Sequence, residues 1–225
     1  MSDLEFFFDP MCPFAWITSR WVVEVADQRD LDVTWRFISL AVLNEAALDA
    51  SDAARAEGTD APLPPQYRPL TELGARLLRV AAAVRAELGN DAVATFYTAA
   101  GELLHPGGIS TELWKGGEPG DVVNDAVTRA GLPSTFADAA DDPTWDDIVR
   151  AETELALART GPDVGTPIIT FDTTRPDEAT MFGPVISRIP RGQEAVDLWD
   201  AMSVVATTPG MAEFKRSLRA MPVFD

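Results

Sequence analysis

Cysteine and histidine are the scarcest reactive residues of this sequence, with only Cys12 and His105 in 225 positions. A lone cysteine excludes an intramolecular disulfide, and one cysteine with one histidine cannot assemble a Cys/His zinc site. Positive charge is also in short supply, 18 Lys and Arg against 36 Asp and Glu, for a formal net charge of −18. Such a field opposes encounter with nucleic acid or an anionic membrane, and neither is expected as a partner. Long apolar runs are missing: Met1-Ser2-Asp3-Leu4-Glu5 carries two acids and no base, and the apolar stretch behind it stops at Asp9. That pattern fits neither a signal peptide nor a membrane span, so a cytoplasmic protein is expected. Neither a phosphate-cradling glycine loop nor a dinucleotide fingerprint occurs, and no tightly bound cofactor of that kind is expected. Asp138, Asp141, Asp142, Asp146 and Asp147 cluster without the alternating ligands and glycine of a calcium loop. They read as a solvated helix start, and no metal site is expected.

What is present is organised around Phe6-Phe7-Phe8-Asp9-Pro10-Met11-Cys12-Pro13-Phe14-Ala15-Trp16. Leu4–Phe8 has the length and apolarity of a buried strand. Pro13 suits the first turn of a helix, where a missing N–H costs nothing, which places Cys12 at the N-cap. There its sulfur faces unpaired backbone N–H groups and the positive end of a helix dipole, and both favour the thiolate. Sites of this type lower a cysteine pKa from about 8.5 into the range of roughly 3.5–7.5.

Further along, Trp16, Ile17, Trp21, Val22 and Val25 form a core-facing helical stripe, and Val33–Leu40 reads as a second strand, parallel to the first. From about Asn44 to Thr160 Ala, Leu, Glu and Arg dominate and β-branched runs disappear, the composition of a helical insertion. Ser51–Pro65 reads as an exposed loop. Leu70, Leu73, Leu77, Val80, Val84 and Leu88 recur at steps of three and four along one helix. A second helix covers Asp91–Leu104, and later ones open at Glu118–Asp121, at Pro133 and at Pro143, the last reaching Arg159. Thr166–Phe171 and Ala179–Phe182 read as an antiparallel hairpin, Gly192–Ala206 as a closing helix and Pro209–Asp225 as one more short helix. Gly183 marks a close backbone approach or a positive φ. Arg188 and Arg191 read as solvated surface residues, and His105 sits near a helix C-terminus, where it meets the last carbonyls.

A strand, then Cys-Pro-x-x, then a long helix resembles the thioredoxin-like fold. More narrowly, Phe8-Asp9-Pro10-Met11-Cys12-Pro13, Trp16–Trp21, Ser39-Leu40-Ala41-Val42-Leu43-Asn44-Glu45 and Phe182–Gly192 are similar to the DsbA-like mycothiol-dependent nitroreductase family. That family usually reads Cys-Pro-Trp-Cys, and Ala15 departs from it by removing the thiol that would resolve a mixed disulfide from within. The resemblance implies an α/β, thioredoxin-like fold with an all-helical insertion domain: residues 1–43 and 161–225 thioredoxin-like, residues 44–160 helical, and Cys12 in the cleft.

The same resemblance implies a nucleophilic Cys12 and a thiol- or substrate-binding set of Pro13, Phe14, Ala15, Asn44, Tyr67, His105, Thr166 and Pro167. Pro167 would be cis and pack against the cysteine, while Thr166 offers its backbone to the bound thiol. The implied activity is that of a monothiol oxidoreductase, with a mycothiol-like low-molecular-weight thiol as cosubstrate and a small electrophilic or oxidised molecule as substrate. Two other readings stay open. One is a thiol S-transferase or isomerase resembling glutathione transferase kappa and hydroxychromene-carboxylate isomerase; the other is a non-catalytic binding or redox-sensing protein.

Overall fold

The structure is a computed structural model and describes residues 2–216, 218 and 220–224. It opens on strand β1, Leu4–Phe8, whose five side chains are all buried between two neighbouring strands, four of them apolar and the fifth Glu5. Helix α1, Pro13–Arg29, follows at once, with Pro13 in its first turn and Asp30 closing it in the left-handed conformation at φ 53°. Strand β2 spans Val33–Phe37, three residues shorter at its end than expected. Ser39 ends it by turning to cap the short helix α2, Leu40–Leu43, its hydroxyl accepting from the Val42 N–H at 3.4 Å.

Helix α3 covers Glu45–Glu57, so the expected loop over residues 51–65 is corrected in its first half. Asp52-Ala53-Ala54-Arg55-Ala56-Glu57 propagates the helix through good helix formers, and only Gly58, at φ 71°, stops it. Helices α4, Tyr67–Leu88, and α5, Asn90–Leu104, form where expected, and Leu73, Leu77, Val80 and Val84 of the expected stripe are buried, but Leu88, the last residue of α4, is exposed. The short α6, Ile109–Trp114, lies where no element was expected. Helix α7, Val122–Arg129, is followed at Pro133 by a 3-10 helix, Ser134–Asp141, rather than an α-helix. A 3-10 turn at Pro143–Trp145 leads into α8, Asp146–Thr160.

Strand β3, Ile168–Thr170, and strand β4, Thr180–Phe182, pair antiparallel, with the one-turn helix α9, Pro176–Ala179, in the connection. Helix α10, Gly192–Thr207, closes the regular structure. The short helix expected over Pro209–Asp225 is absent among the described residues of that tail, and positions 217, 219 and 225 lie outside them. Val223 instead ties the tail back through its N–H to the Ser187 carbonyl at 2.8 Å. No helix among the described residues is long and apolar enough to cross a membrane.

The chain divides into two compact units. One holds the residues up to Phe8, Cys12–Ile38 and those from Glu154 on; the other holds Asp9–Met11 and Ser39–Thr153. The expected division set the boundaries at 43/44 and 160/161 and gave no part of the N-terminal turn to the helical unit.

In the first unit the sheet order is β2-β1-β3-β4, with β1 parallel to β2 (Phe6 opposite Trp35) and antiparallel to β3 (Phe6 opposite Ile169). Helix α10 packs on α1, where the Trp21 indole N–H donates to the Ala195 carbonyl at 2.9 Å and its ring lies 5.6 Å from that of Trp199. The buried Glu5 on β1 is matched by Arg36 at 2.6 Å and by Arg159, and these two guanidiniums outweigh burial and hold its carboxyl below the usual range. In the second unit α4 is the axis: α2, α5 and the 3-10 helix all pack on it. Arg79 reaches Asp146 with two bonds of 2.6 and 2.8 Å, and Arg76 reaches Asp141 at 3.1 Å, which accounts for part of the acidic cluster.

Candidate active site

Cys12 caps α1 in extended conformation, with φ −80° and ψ 111°, and its carbonyl already accepts the first helical bond, from Trp16 at 3.0 Å. The Ala15 N–H points at its sulfur at 3.4 Å, the N-cap arrangement in which a side chain takes up a helix donor that has no partner inside the helix. On the other side the sulfur lies 3.4 Å from the Thr166 carbonyl, to which the thiol donates. The Thr166–Pro167 peptide bond is cis, as the resemblance implies. Thr166 is itself held down by its hydroxyl on the Phe7 carbonyl at 3.3 Å. Cys12, Ala15, Thr166 and Pro167 are therefore brought together from positions 154 residues apart, with Cys12 8% exposed. Pro13 and Phe14 lie half-buried in the first turn.

The three residues before Cys12 belong to the helical unit, and their polar groups are held there. Asp9, with no exposed surface, accepts from the Met11 N–H at 2.8 Å and from the Leu40 N–H at 2.7 Å. Burial pushes its carboxyl up to about 6, against the pull of those two N–H bonds. His105, 2% exposed, bonds the Pro10 carbonyl through Nε2 at 2.9 Å. A carbonyl only accepts, so Nε2 carries the proton in this bond. Burial pushes the His105 imidazole down to about 4, partly opposed by that bond, so the ring is neutral at pH 7.

Gly74 in α4 supplies the space for this turn: a Cβ there would stand 2.9 Å from Asp9 Oδ1 and 3.1 Å from Met11 Cγ. Mid-helix Gly→Ala ordinarily stabilises by about 0.5–1 kcal/mol, but here the carboxylate it would press on is held by the Met11 and Leu40 N–H groups. Gly74→Ala is expected to destabilise the protein by about 1–3 kcal/mol, read as a lower urea midpoint. A raised midpoint would show that the close packing around Asp9 is not maintained.

Asn44 and Tyr67, both half-buried, form a second local pair, with the Asn44 amide donating to the Tyr67 hydroxyl at 3.4 Å and to the Leu40 carbonyl at 2.8 Å. Arg188 and Arg191 are exposed and engaged by Glu194 and Glu24. Two features escaped sequence reading. The Gly183–Pro184 bond is a second cis peptide, its Pro184 carbonyl taken by the Thr18 hydroxyl at 2.9 Å, although the φ of 94° at Gly183 is the positive value expected there. Asp9 is the other, and its signal is present: an acid set directly behind three buried phenylalanines and before a proline is seldom left without a structural duty.

Comparison with known proteins bears on the same residues. Residues 11–216 match the Rv2466c-like family model, described as mycothiol-dependent nitroreductase Rv2466c. The chain is 31% identical over 219 residues to the uncharacterized protein Rv2286c of Mycobacterium tuberculosis, covering 96% of this chain and 82% of that protein. Among solved structures it is similar to a probable DsbA oxidoreductase from Streptomyces coelicolor, with a TM-score of 0.53 and 17% identity over 92% of this chain and 90% of that one. It is also similar to a 2-hydroxychromene-2-carboxylate isomerase, with a TM-score of 0.54 and 14% identity over 88% of this chain and 93% of that one. At these identities the two structures speak for the fold, a DsbA-like thioredoxin fold.

Proposed function

This chain belongs to the Rv2466c-like family of mycothiol-dependent nitroreductases, and from that membership we propose that it is a monothiol oxidoreductase in which Cys12 is the nucleophile. The observation that carries the reading is the sulfur's setting. It caps a 17-residue helix and receives the Ala15 N–H, while the Thr166 carbonyl on its other side, to which the thiol donates, favours the protonated form. A helix N-terminus and a directed N–H favour the anion, the form that attacks sulfur.

The thiolate attacks one sulfur of a low-molecular-weight disulfide; the substrate S–S bond breaks, its second sulfur leaves as thiolate, and a Cys12 mixed disulfide forms. An external thiolate of the mycothiol class then attacks the outer sulfur of that adduct, forming the small disulfide and returning Cys12 as thiolate. The two steps sum to a thiol–disulfide exchange: the incoming thiolate ends in the new small disulfide, the thiolate displaced from the substrate disulfide leaves reduced, and Cys12 is regenerated. Thr166 and Pro167 line the bound thiol, and Pro13 and Phe14 border it. No residue of the chain resolves the adduct, because position 15 holds a fully buried alanine.

Incubation with mycothiol disulfide is expected to add the mass of one thiol to Cys12, stable until free thiol is supplied. Absence of any adduct would overturn the reading in favour of a transferase or isomerase, which holds and activates its thiol without redox change. Ala15→Cys should shorten the life of the adduct in the absence of added thiol, since it puts a second thiol three residues after Cys12 in the first turn of α1. An equally long-lived adduct in that variant would mean that residue 15 does not face the bound thiol.

A further inference from the structure

The segment leading into Cys12 is fixed residue by residue. Asp9 turns back on itself to accept the Met11 N–H and reaches across to the Leu40 N–H at the start of α2. His105, at the C-terminus of α5, takes the carbonyl of the intervening Pro10, a contact spanning 95 positions. Gly74, in α4, admits both Asp9 and Met11. Elements α2, α4 and α5 thus each hold one point of a three-residue stretch, and the next bond in the chain belongs to the proposed nucleophile. Leu4–Phe8 is anchored by its strand partners and Pro13 onward by the helix, so this stretch is what sets the direction in which Cys12 enters α1.

We propose that Asp9 and His105 are positioning residues: by clamping the backbone of Asp9–Met11 they hold Cys12 at the N-cap of α1, and His105 acts as a fixed N–H donor rather than as a proton carrier. Three observations support the donor role. The imidazole is almost wholly buried, its Nε2 is committed to a backbone carbonyl at 2.9 Å, and that carbonyl lies two residues from the sulfur. Asp9 has the matching role for the amide side, because a carboxylate with two oxygens can serve two N–H groups from different elements, whereas an amide side chain offers one oxygen only. Loss of either hold frees the turn, and the sulfur drifts from the Ala15 N–H that stabilises its anion.

This inference rests on Cys12 being the nucleophile, so the test reads the thiol itself rather than turnover. The rate of iodoacetamide alkylation of the full-length chain is measured from pH 5 to 9 in wild type, His105→Gln, His105→Leu and Asp9→Asn, each first checked for a cooperative thermal transition. Glutamine keeps an N–H donor at the reach of Nε2 and cannot titrate. His105→Gln is therefore expected to retain the wild-type profile, whereas His105→Leu and Asp9→Asn raise the pH of half-maximal rate by about half a unit or more, toward that of a free thiol. Wild-type profiles in both His105→Leu and Asp9→Asn would overturn the proposal, and so would a His105→Gln profile displaced as far as that of His105→Leu. Failure of the nucleophile reading appears separately, as a wild-type protein that forms no adduct with mycothiol disulfide.

Discussion

Replacing Cys12 by serine is expected to reduce thiol-dependent turnover by about a thousandfold or more while leaving the fold intact. The two residues differ by one atom, and a serine hydroxyl at an N-cap accepts the Ala15 N–H at least as well as sulfur does, so α1 keeps its cap. What disappears is the proposed nucleophile: no oxygen at this position forms or breaks an S–S bond, and the chain has no other sulfhydryl to substitute. Thermal midpoint and turnover measured on one preparation check the two halves of the expectation. Residual activity above a few per cent of wild type, after exclusion of contaminating reductase, would remove Cys12 from the mechanism.

The second large effect concerns stability against pH, and it follows from two buried groups that titrate in opposite senses. His105 stands near 4 in the folded chain against 6.5 when unfolded. The unfolded chain binds its proton first as the solution is acidified, so this contribution is complete above pH 6.5 and lost as the pH falls to 4, a change of about 3 kcal/mol. Asp9 stands near 6 folded against 3.8 unfolded. Here the folded chain binds the proton first; the contribution is complete below pH 3.8 and lost as the pH rises through 6, again by about 3 kcal/mol.

Between pH 4 and 6 the two slopes oppose each other, and wild type is expected to show little pH dependence from this pair. Asp9→Asn leaves only the histidine slope, so its stability relative to wild type should decline as the pH falls from 6 to 4. His105→Gln leaves only the carboxyl slope, and its stability relative to wild type should improve over the same interval. Urea unfolding at three or four pH values gives both differences directly. Parallel curves for the three proteins would show that these groups are not buried as the structure has them.

The two sets of measurements interlock. Alkylation profiles report where the sulfur sits, the pH dependence of unfolding reports whether Asp9 and His105 are held in the dry interior, and turnover reports whether the chemistry follows. A chain in which the first two change together in the same variants, while His105→Gln leaves the alkylation profile alone, has its nucleophile set in place by a buried carboxylate and a neutral imidazole that hold the turn before it.

Local chemistry determined much of this protein from sequence alone. An apolar run ending in Asp-Pro, a cysteine before a proline and a periodic stripe behind them suffice for β1, the N-cap and α1, because strand burial, capping and proline's missing N–H act within a few residues. The long periodicity of α4 and the β3–β4 hairpin were legible for the same reason. Where a local signal is ambiguous the sequence misleads: the prolines and glycine beyond residues 51–57 outweigh the helix formers within them, and a helical stretch reads as a loop. Tertiary structure alone decided the rest. Nothing near Asp9 in sequence announces Leu40 or Gly74, and nothing near His105 announces Pro10, since a buried carboxylate or imidazole finds its partner only once packing has brought distant backbone groups into a volume from which water is excluded.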